Sequence, residues 1–270
     1  MEYREVQPAP ALRPFVRSYW TLRGSGVAGG IERVIPDGRP ELIVDLGVPL
    51  TRLRDAGVDG NGESHQPECL FAGQMDRPEL FRTRGPVSMF GVTFEADGVS
   101  VFSEAPQREW FNQIVPLGDI WGLAARRWEE RIRNARCDAE RASMTDAFLQ
   151  SRFAVKRFDP RTAAACRIIR ADPAMPIDRV AERCALSRRQ LEREFQRRAG
   201  VSPKLLARIA RLQRALTMRQ SRESWAWTRV AHESGYYDQA HLIADFKQFT
   251  GAAPTLRESE TAMERAFVRE

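Results

Sequence analysis

A chain of 270 residues and 30.7 kDa can hold one large or two modest domains, each with its own core, and two are expected here. Its net charge of +6 is unevenly spread: residues 156–270 carry 23 Lys and Arg against 14 Asp and Glu, whereas residues 1–155 carry 19 against 22, so a polyanion partner is expected for the C-terminal part. Four scattered cysteines (Cys69, Cys137, Cys166, Cys184) argue against a disulfide scaffold and a thiolate zinc site, and the absence of a signal-peptide core or a membrane-length apolar window points to a cytoplasmic protein with no membrane partner.

In chain order, residues 18–96 hold short runs with strand character: SYWTL, IERVI, ELIVDL, ECLFAG, LFRTR and SMFGVTFEA. Turn signals separate them, among them Pro36-Asp37-Gly38 and the stretch DAGVDGNGES. A small β barrel or sandwich is expected. After Pro116 the period becomes helical, with Ile120, Leu123, Ala124, Trp128 and Ile132 as the apolar stripe of one helix. Met144, Phe148 and Leu149 mark a second, from about Ala139 to Phe153. His65 and Cys69 lie close in sequence, but with no second ligand pair nearby they read as the end of a Gly-rich loop rather than a metal site. Asp37, Glu41 and Asp45 suggest acid-base chemistry by spacing, although exposed or turn-forming carboxylates are the commoner outcome after such a turn.

The basic part contains an internal repeat. VAERCALSRRQLEREFQRRAGVSP aligns with VAHESGYYDQAHLIADFKQFTGAAP: Val180 and Ala181 precede Val230 and Ala231 by 50 residues, and Leu191, Phe195, Gly200 and Pro203 precede Leu242, Phe246, Gly251 and Pro254 by 51. The one-residue slip falls in the turn. Each copy reads as helix, turn and helix. Ala181 and Ala231 permit a close crossing, Gly235 supplies a positive φ where Ala185 stands in the first copy, and Ser187 and Asp238 take N-cap positions. On this reading the tyrosines after Gly235 fill the turn. Leu205, Leu206, Ile209, Leu212 and Leu216 mark a helix between the copies.

The doubled motif, with RIARLQRAL between its halves, resembles the DNA-binding domain of the AraC/XylS family of bacterial transcription regulators over about Arg161 to Glu258. The upstream YW and PDGRPELIVDLG resemble a poorly characterised N-terminal domain carried by some of these regulators, with Ala96 of GVTFEADGVSVF where a proline is usual. The resemblance implies an α+β chain: residues 1–155 as a β-rich sensing or dimerisation domain with C-terminal helices, 156–260 as an all-α DNA-binding domain, and 261–270 as a tail. It implies no cofactor, double-stranded DNA as partner, and a small-molecule effector, RNA polymerase and a second copy of the chain as further candidates.

Helical geometry turns Arg189, Arg193 and Gln196 away from Leu191 and Phe195, toward DNA, where arginine reads guanine bidentately. Ser187, Arg188 and Gln190 stand at the helix start, within reach of phosphate or base edges, and Glu192 either accepts from cytosine or pairs with a neighbouring arginine. In the second copy Ala240, Ala244 and Lys247 face outward, with Gln239 and His241 near the start. Residues 178–222 hold 13 basic against 4 acidic side chains and residues 223–256 hold 2 against 4, so the first copy is expected to supply most affinity and readout. Lys204, Arg208 and Arg211 are candidates for phosphate contacts or plain solubilising charge, and Trp225 and Trp227 are expected to pack the second unit. A DNA-tethered enzyme or repair module and a nonspecific DNA-coating protein are the rival readings. The first lacks a credible nucleophile, and the outward arginines argue against the second.

Overall fold

The computed structural model describes residues 1–25, 29–53, 62–222 and 224–254. Most of DAGVDGNGES (residues 55–61) and the expected tail at 261–270 lie outside these residues. Among the described residues the N-terminal half contains ten strands: β1 (Glu2–Val6), β2 (Val16–Gly24), β3 (Ile31–Val34), β4 (Glu41–Asp45), β5 (Thr51–Leu53), β6 (Glu63–His65), β7 (Cys69–Ala72), β8 (Glu79–Arg82), β9 (Val87–Phe94) and β10 (Ile114–Pro116). All pairings are antiparallel, giving one sheet in the order β1-β2-β9-β4-β7-β10 and a second in the order β3-β8-β5-β6. The two sheets do not close into a barrel and form a sandwich.

Side-chain alternation explains the layering. Tyr19 and Phe90 point to one face of the larger sheet, where α1 (Leu117–Asn134) and α2 (Asp138–Arg152) lay Trp121, Trp128, Ile132 and Leu149 against them. Their neighbours Trp20 and Met89 point to the other face, joining Leu22, Leu50, Phe81 and Val87 between the sheets. Covered on both sides, β9 is buried at all but one position. Gly91 pairs with Trp20 across the ladder, and a Cβ there would lie 2.1 Å from the indole, so only glycine admits the ring.

The expected stripe of α1 is displaced. Leu123 is 70% exposed, while Trp121 and Ala125 are buried with Trp128 and Ile132. Gly122 breaks the helix with φ 57° and ψ −137°, which resets its phase. In α2, Leu149 is buried and Met144 and Phe148 pack against the same core. His65 sits at the end of the smaller sheet opposite Thr51, and Cys69 is buried in the larger one. No helix among the described residues is long and apolar enough to cross a membrane.

The C-terminal half is helical: α3 (Pro160–Ala171), α4 (Ile177–Arg183), α5 (Arg188–Arg198), α6 (Pro203–Ser221), α7 (Trp227–Glu233) and α8 (Gln239–Thr250). Asp159, Ser202 and the prolines behind them start α3 and α6. α4 with α5, and α7 with α8, form the two repeated units, and α6 joins them.

Candidate nucleic-acid interface and the cavity behind it

The repeat is visible bond by bond. In the first unit Ala185 donates to Glu182 O and Leu186 to Ala181 O; in the second Gly235 donates to His232 O and Tyr236 to Ala231 O. Ala185 and Gly235 both take positive φ, 52° and 86°, so an alanine occupies a conformation that costs a side-chain-bearing residue about 1–2 kcal/mol. Gly200 and Gly251 close the two second helices with φ of 78° and 75°. The slip in the alignment is Tyr237. Tyr236 fills the turn, buried as Leu186 is, but Tyr237 is 93% exposed, so only one of the two tyrosines packs there.

The start of α5 is fixed by a capping box, in which the Ser187 hydroxyl accepts from Gln190 N and the Gln190 side chain accepts from Ser187 N at 2.8 Å. Ser187 and Gln190 are thereby tied to the cap while remaining exposed. Leu191 and Phe195 are fully buried, and Arg189 and Arg193 project into solvent. Arg188 donates to both carboxylate oxygens of Asp178 on α4 at 3.1 Å and lies 3.9 Å from Glu192, so Glu192 does face a neighbouring arginine. Gln196 is half-buried.

In α8, Asp238 caps the first turn by accepting from His241 N at 2.7 Å. Leu242 and Phe246 are buried, and Gln239, Ala240, Ala244 and Lys247 are exposed. His241 is half-buried, its ring edge-on to Tyr236 at 5.2 Å. Lys204 stands exposed in the first turn of α6. Arg208 and Arg211 are placed otherwise. Arg208 grips the buried Asp245 at 2.7 and 2.9 Å and donates to Gln248, which fastens α6 to α8. Arg211 donates to Pro173 O at 3.0 Å and covers the Tyr236 ring. Both tryptophans pack against the second unit's core as expected: Trp227 lies edge-on to Phe246, and Trp225, half-buried, also meets the guanidinium groups of Arg222 and Arg229, 4.2 and 3.9 Å from its ring.

Both units reach into the N-terminal half, which sequence spacing does not reveal. Ala96 is buried in the first unit's core beside Cys166, Leu191 and Phe195. Ile35 is buried with Ile209, Leu212, Phe246 and Phe249 of the second. The Pro36–Gly38 turn is held from outside: Gln213 of α6 donates to Pro36 O at 2.7 Å and Arg170 of α3 to Asp37 O at 3.0 Å. Burial and the nearby Arg39 push the Arg170 guanidinium down to about 10.

The same turn walls a cavity of about 90 Å³ between the sheets. Trp20, Ile43, Leu70, Phe81 and Met89 line it with Ile35, and the charged groups Asp37, Arg39, Glu41 and Glu79 border it. Among the three carboxylates singled out by spacing, Asp37 and Asp45 do form turns, accepting from Arg39 N and Gly47 N. Asp45 is nonetheless buried, and Glu41 is half-buried with its carboxyl turned toward Trp20 and Thr93, contrary to the expected exposure. Glu41 begins β4 opposite Thr93, and its Oε1 accepts from Thr93 Oγ1 at 2.7 Å and Trp20 Nε1 at 3.2 Å. Burial, and then the charge of Asp37, push its carboxyl up to about 8.

Residues 161–256 match a helix-turn-helix domain model, and residues 4–116 match a domain of unknown function (DUF6597). No curated protein matches the chain. Among solved structures, the fold is similar to that of ToxT from Vibrio cholerae, with a TM-score of 0.50 at 11% identity over 88% of this chain and 96% of that one. Two shorter regulators are similar to part of it. An AraC-type regulator from Chromobacterium violaceum is 23% identical over 41% of this chain and 94% of its own, with a TM-score of 0.33. A probable AraC family regulator from Rhodopseudomonas palustris is 27% identical over 40% and 98%, with a TM-score of 0.32. The chain thus joins an N-terminal domain of unknown function to a C-terminal helix-turn-helix domain that contains two such units.

Proposed function

We propose that α5 and α8 enter the major groove as a pair, that α5 supplies most of the sequence readout, and that the N-terminal half sets their activity in response to a small molecule. The observation that carries this reading is the asymmetry of the two otherwise matched units. Their buried positions correspond, yet one outward face holds Arg189 and Arg193 and the other Ala240 and Ala244. Each well-placed arginine discriminates a guanine by about 1–3 kcal/mol, whereas an alanine offers only a methyl contact to thymine. Lys204 at the start of α6 suits a phosphate, since the helix N-terminus adds partial positive charge. Tyr237, projecting just before the α8 cap, is a further contact candidate that the one-residue slip marks in the sequence.

The proposed division is residues 1–155 for sensing, 156–260 for DNA binding and a tail at 261–270. With 19 residues α6 is about 28 Å long, so one chain suffices to reach successive major grooves about 34 Å apart, and a second copy is not required. Control by the N-terminal half is favoured over a merely tethered enzyme because Ile35 and Ala96 complete the cores of the DNA-binding units. A tethered module has no need of that intimacy.

The test compares Arg193→Ala with His241→Ala in a duplex-binding assay at fixed salt. Arg193→Ala is expected to weaken binding by about 5- to 150-fold and His241→Ala by less than about 5-fold. A larger loss from His241→Ala would overturn the assignment of readout to α5.

A further inference from the structure

Glu41 is a half-buried carboxyl on which Arg39 acts only from beyond ion-pair distance. The other charged groups around the cavity are matched: Glu79 clasps Arg52 through two 2.6 Å bonds, and Arg39 lies 3.8 Å from Asp37 and 3.9 Å from Glu95. No cation stands within ion-pair distance of Glu41 among the described residues. Its Oε1 already accepts from β2 and β9 through Trp20 and Thr93, which leaves Oε2. Tyr3 of β1, stacked on Trp20 at 6.1 Å, adds no positive charge. On the same cavity wall Gln66 is buried, and its Oε1 has no hydrogen-bond partner. Arg39 Nε on the same wall also lacks a hydrogen-bond partner, but among the lining residues it is the one cation, set against the carboxyls of Asp37, Glu41 and Glu79. A carboxylate ligand brings a further negative charge to a lining dominated by acidic groups, and a purely apolar one leaves Gln66 Oε1 unsatisfied, at a cost of roughly 1–3 kcal/mol. A cationic donor removes both penalties.

Resting on the effector reading above, we infer that the cavity binds a compact apolar amine as its ammonium ion, paired with Glu41, with Gln66 as a further acceptor and the hydrocarbon part against Ile43, Leu70, Phe81 and Met89. Size follows from volume. About 90 Å³ is less than the roughly 150 Å³ that holds benzene, so a small alkylamine fits as the cavity stands, and a larger one displaces a wall. The wall formed by Ile35 to Arg39 is the one pressed against α3 and α6, so its displacement reaches both DNA-binding units. Because Glu41 holds its proton near neutral pH when the cavity is empty, pairing with an ammonium ion releases that proton to solvent.

The experiment uses the full-length protein with matched probes: butylamine, 1-butanol and butyrate, then benzylamine, benzyl alcohol and benzoate. Thermal shift and isothermal titration calorimetry near neutral pH, in buffers of differing ionisation enthalpy, read affinity and proton release. The amine of at least one set is expected to bind about tenfold or more tighter than its alcohol and acid, to raise Tm by about 3–6 °C at ten times its Kd, and to release about one proton. Glu41→Gln should erase the preference for the amine with the circular dichroism spectrum unchanged; proton release by the wild type gives the same information should that variant not fold. An alcohol or carboxylate that binds as tightly as the amine overturns the cation assignment but leaves an effector site, provided that filling the cavity with Met89→Trp abolishes binding. Absence of binding by all six probes overturns the site itself.

Discussion

Gln213, on the helix that joins the two helix-turn-helix units, donates from Nε2 to the carbonyl oxygen of Pro36 at 2.7 Å across 177 residues of sequence. This bond and that from Arg170 hold the Pro36–Gly38 turn in a notch of the DNA-binding half. The turn is also a wall of the inter-sheet cavity. A single short segment therefore belongs to both halves.

Gly38 is the position where this junction is least tolerant. Its φ is 75°, and a Cβ there would lie 2.8 Å from Leu206 Cδ1 and 3.2 Å from an Arg170 guanidinium nitrogen. Gly38→Ala is expected to lower stability by about 1–3 kcal/mol through strain and overpacking together. Denaturant unfolding of the full chain measures it, and the same variant should blunt any effect of ligand on DNA affinity.

Ala185 makes the opposite prediction. It holds a left-handed conformation that its counterpart Gly235 adopts freely, and its side chain is exposed, so nothing is lost by removing the methyl group. Ala185→Gly is expected to stabilise the protein by about 0.5–1 kcal/mol, the relief of strain less the added freedom of the unfolded chain. Thermal unfolding reads the sign directly.

Arg208 fastens α6 to α8 through a carboxylate that is 2% exposed. Arg208→Ala leaves Asp245 buried without its cation. A loss of about 2–3 kcal/mol is expected, below the 3–5 kcal/mol of a fully buried pair because Arg208 keeps part of its hydration. Asp245→Asn in the Arg208→Ala background should restore part of the loss, and a double-mutant cycle measures the coupling.

Glu41 makes stability depend on pH in the less usual sense. Its folded carboxyl titrates near 8 and an unfolded glutamate near 4.3, so between these values the folded state binds more protons and stability falls as pH rises. Asp97, pushed up to about 6 by burial, acts in the same direction over the lower part of that window. Glu41→Gln should therefore flatten the decline between about pH 6 and 8 and lessen it below about pH 6, where the contribution of Asp97 remains. Chemical denaturation at several pH values checks both parts.

The helical half was largely legible because its determinants are local. Val180, Leu191 and Phe195 recur as Val230, Leu242 and Phe246, and a helical period needs few long-range facts to place them inside. The strands β1, β5, β6 and β10 escaped the sequence reading; three of them have only three residues, and β1 is mostly exposed, so alternation has little to act on. Tertiary placement was least visible. Ala96 and Ile35 look like ordinary β-domain residues until they are found inside the other half, and Arg208 reads as a surface cation until Asp245, 37 residues away, is brought beneath it. Glu41 was singled out by spacing, but the direction of its carboxyl depends on Trp20 and Thr93 from two other strands.

The most direct test is selection of bound sequences from a random duplex library by the full-length protein at several salt concentrations. A reproducible motif with one well-defined half and one degenerate half, about one helical turn apart, is the predicted result, with the defined half lost in Arg193→Ala. Enrichment of no motif, with binding that declines with salt alike for every sequence, would contradict a regulator that reads DNA through α5.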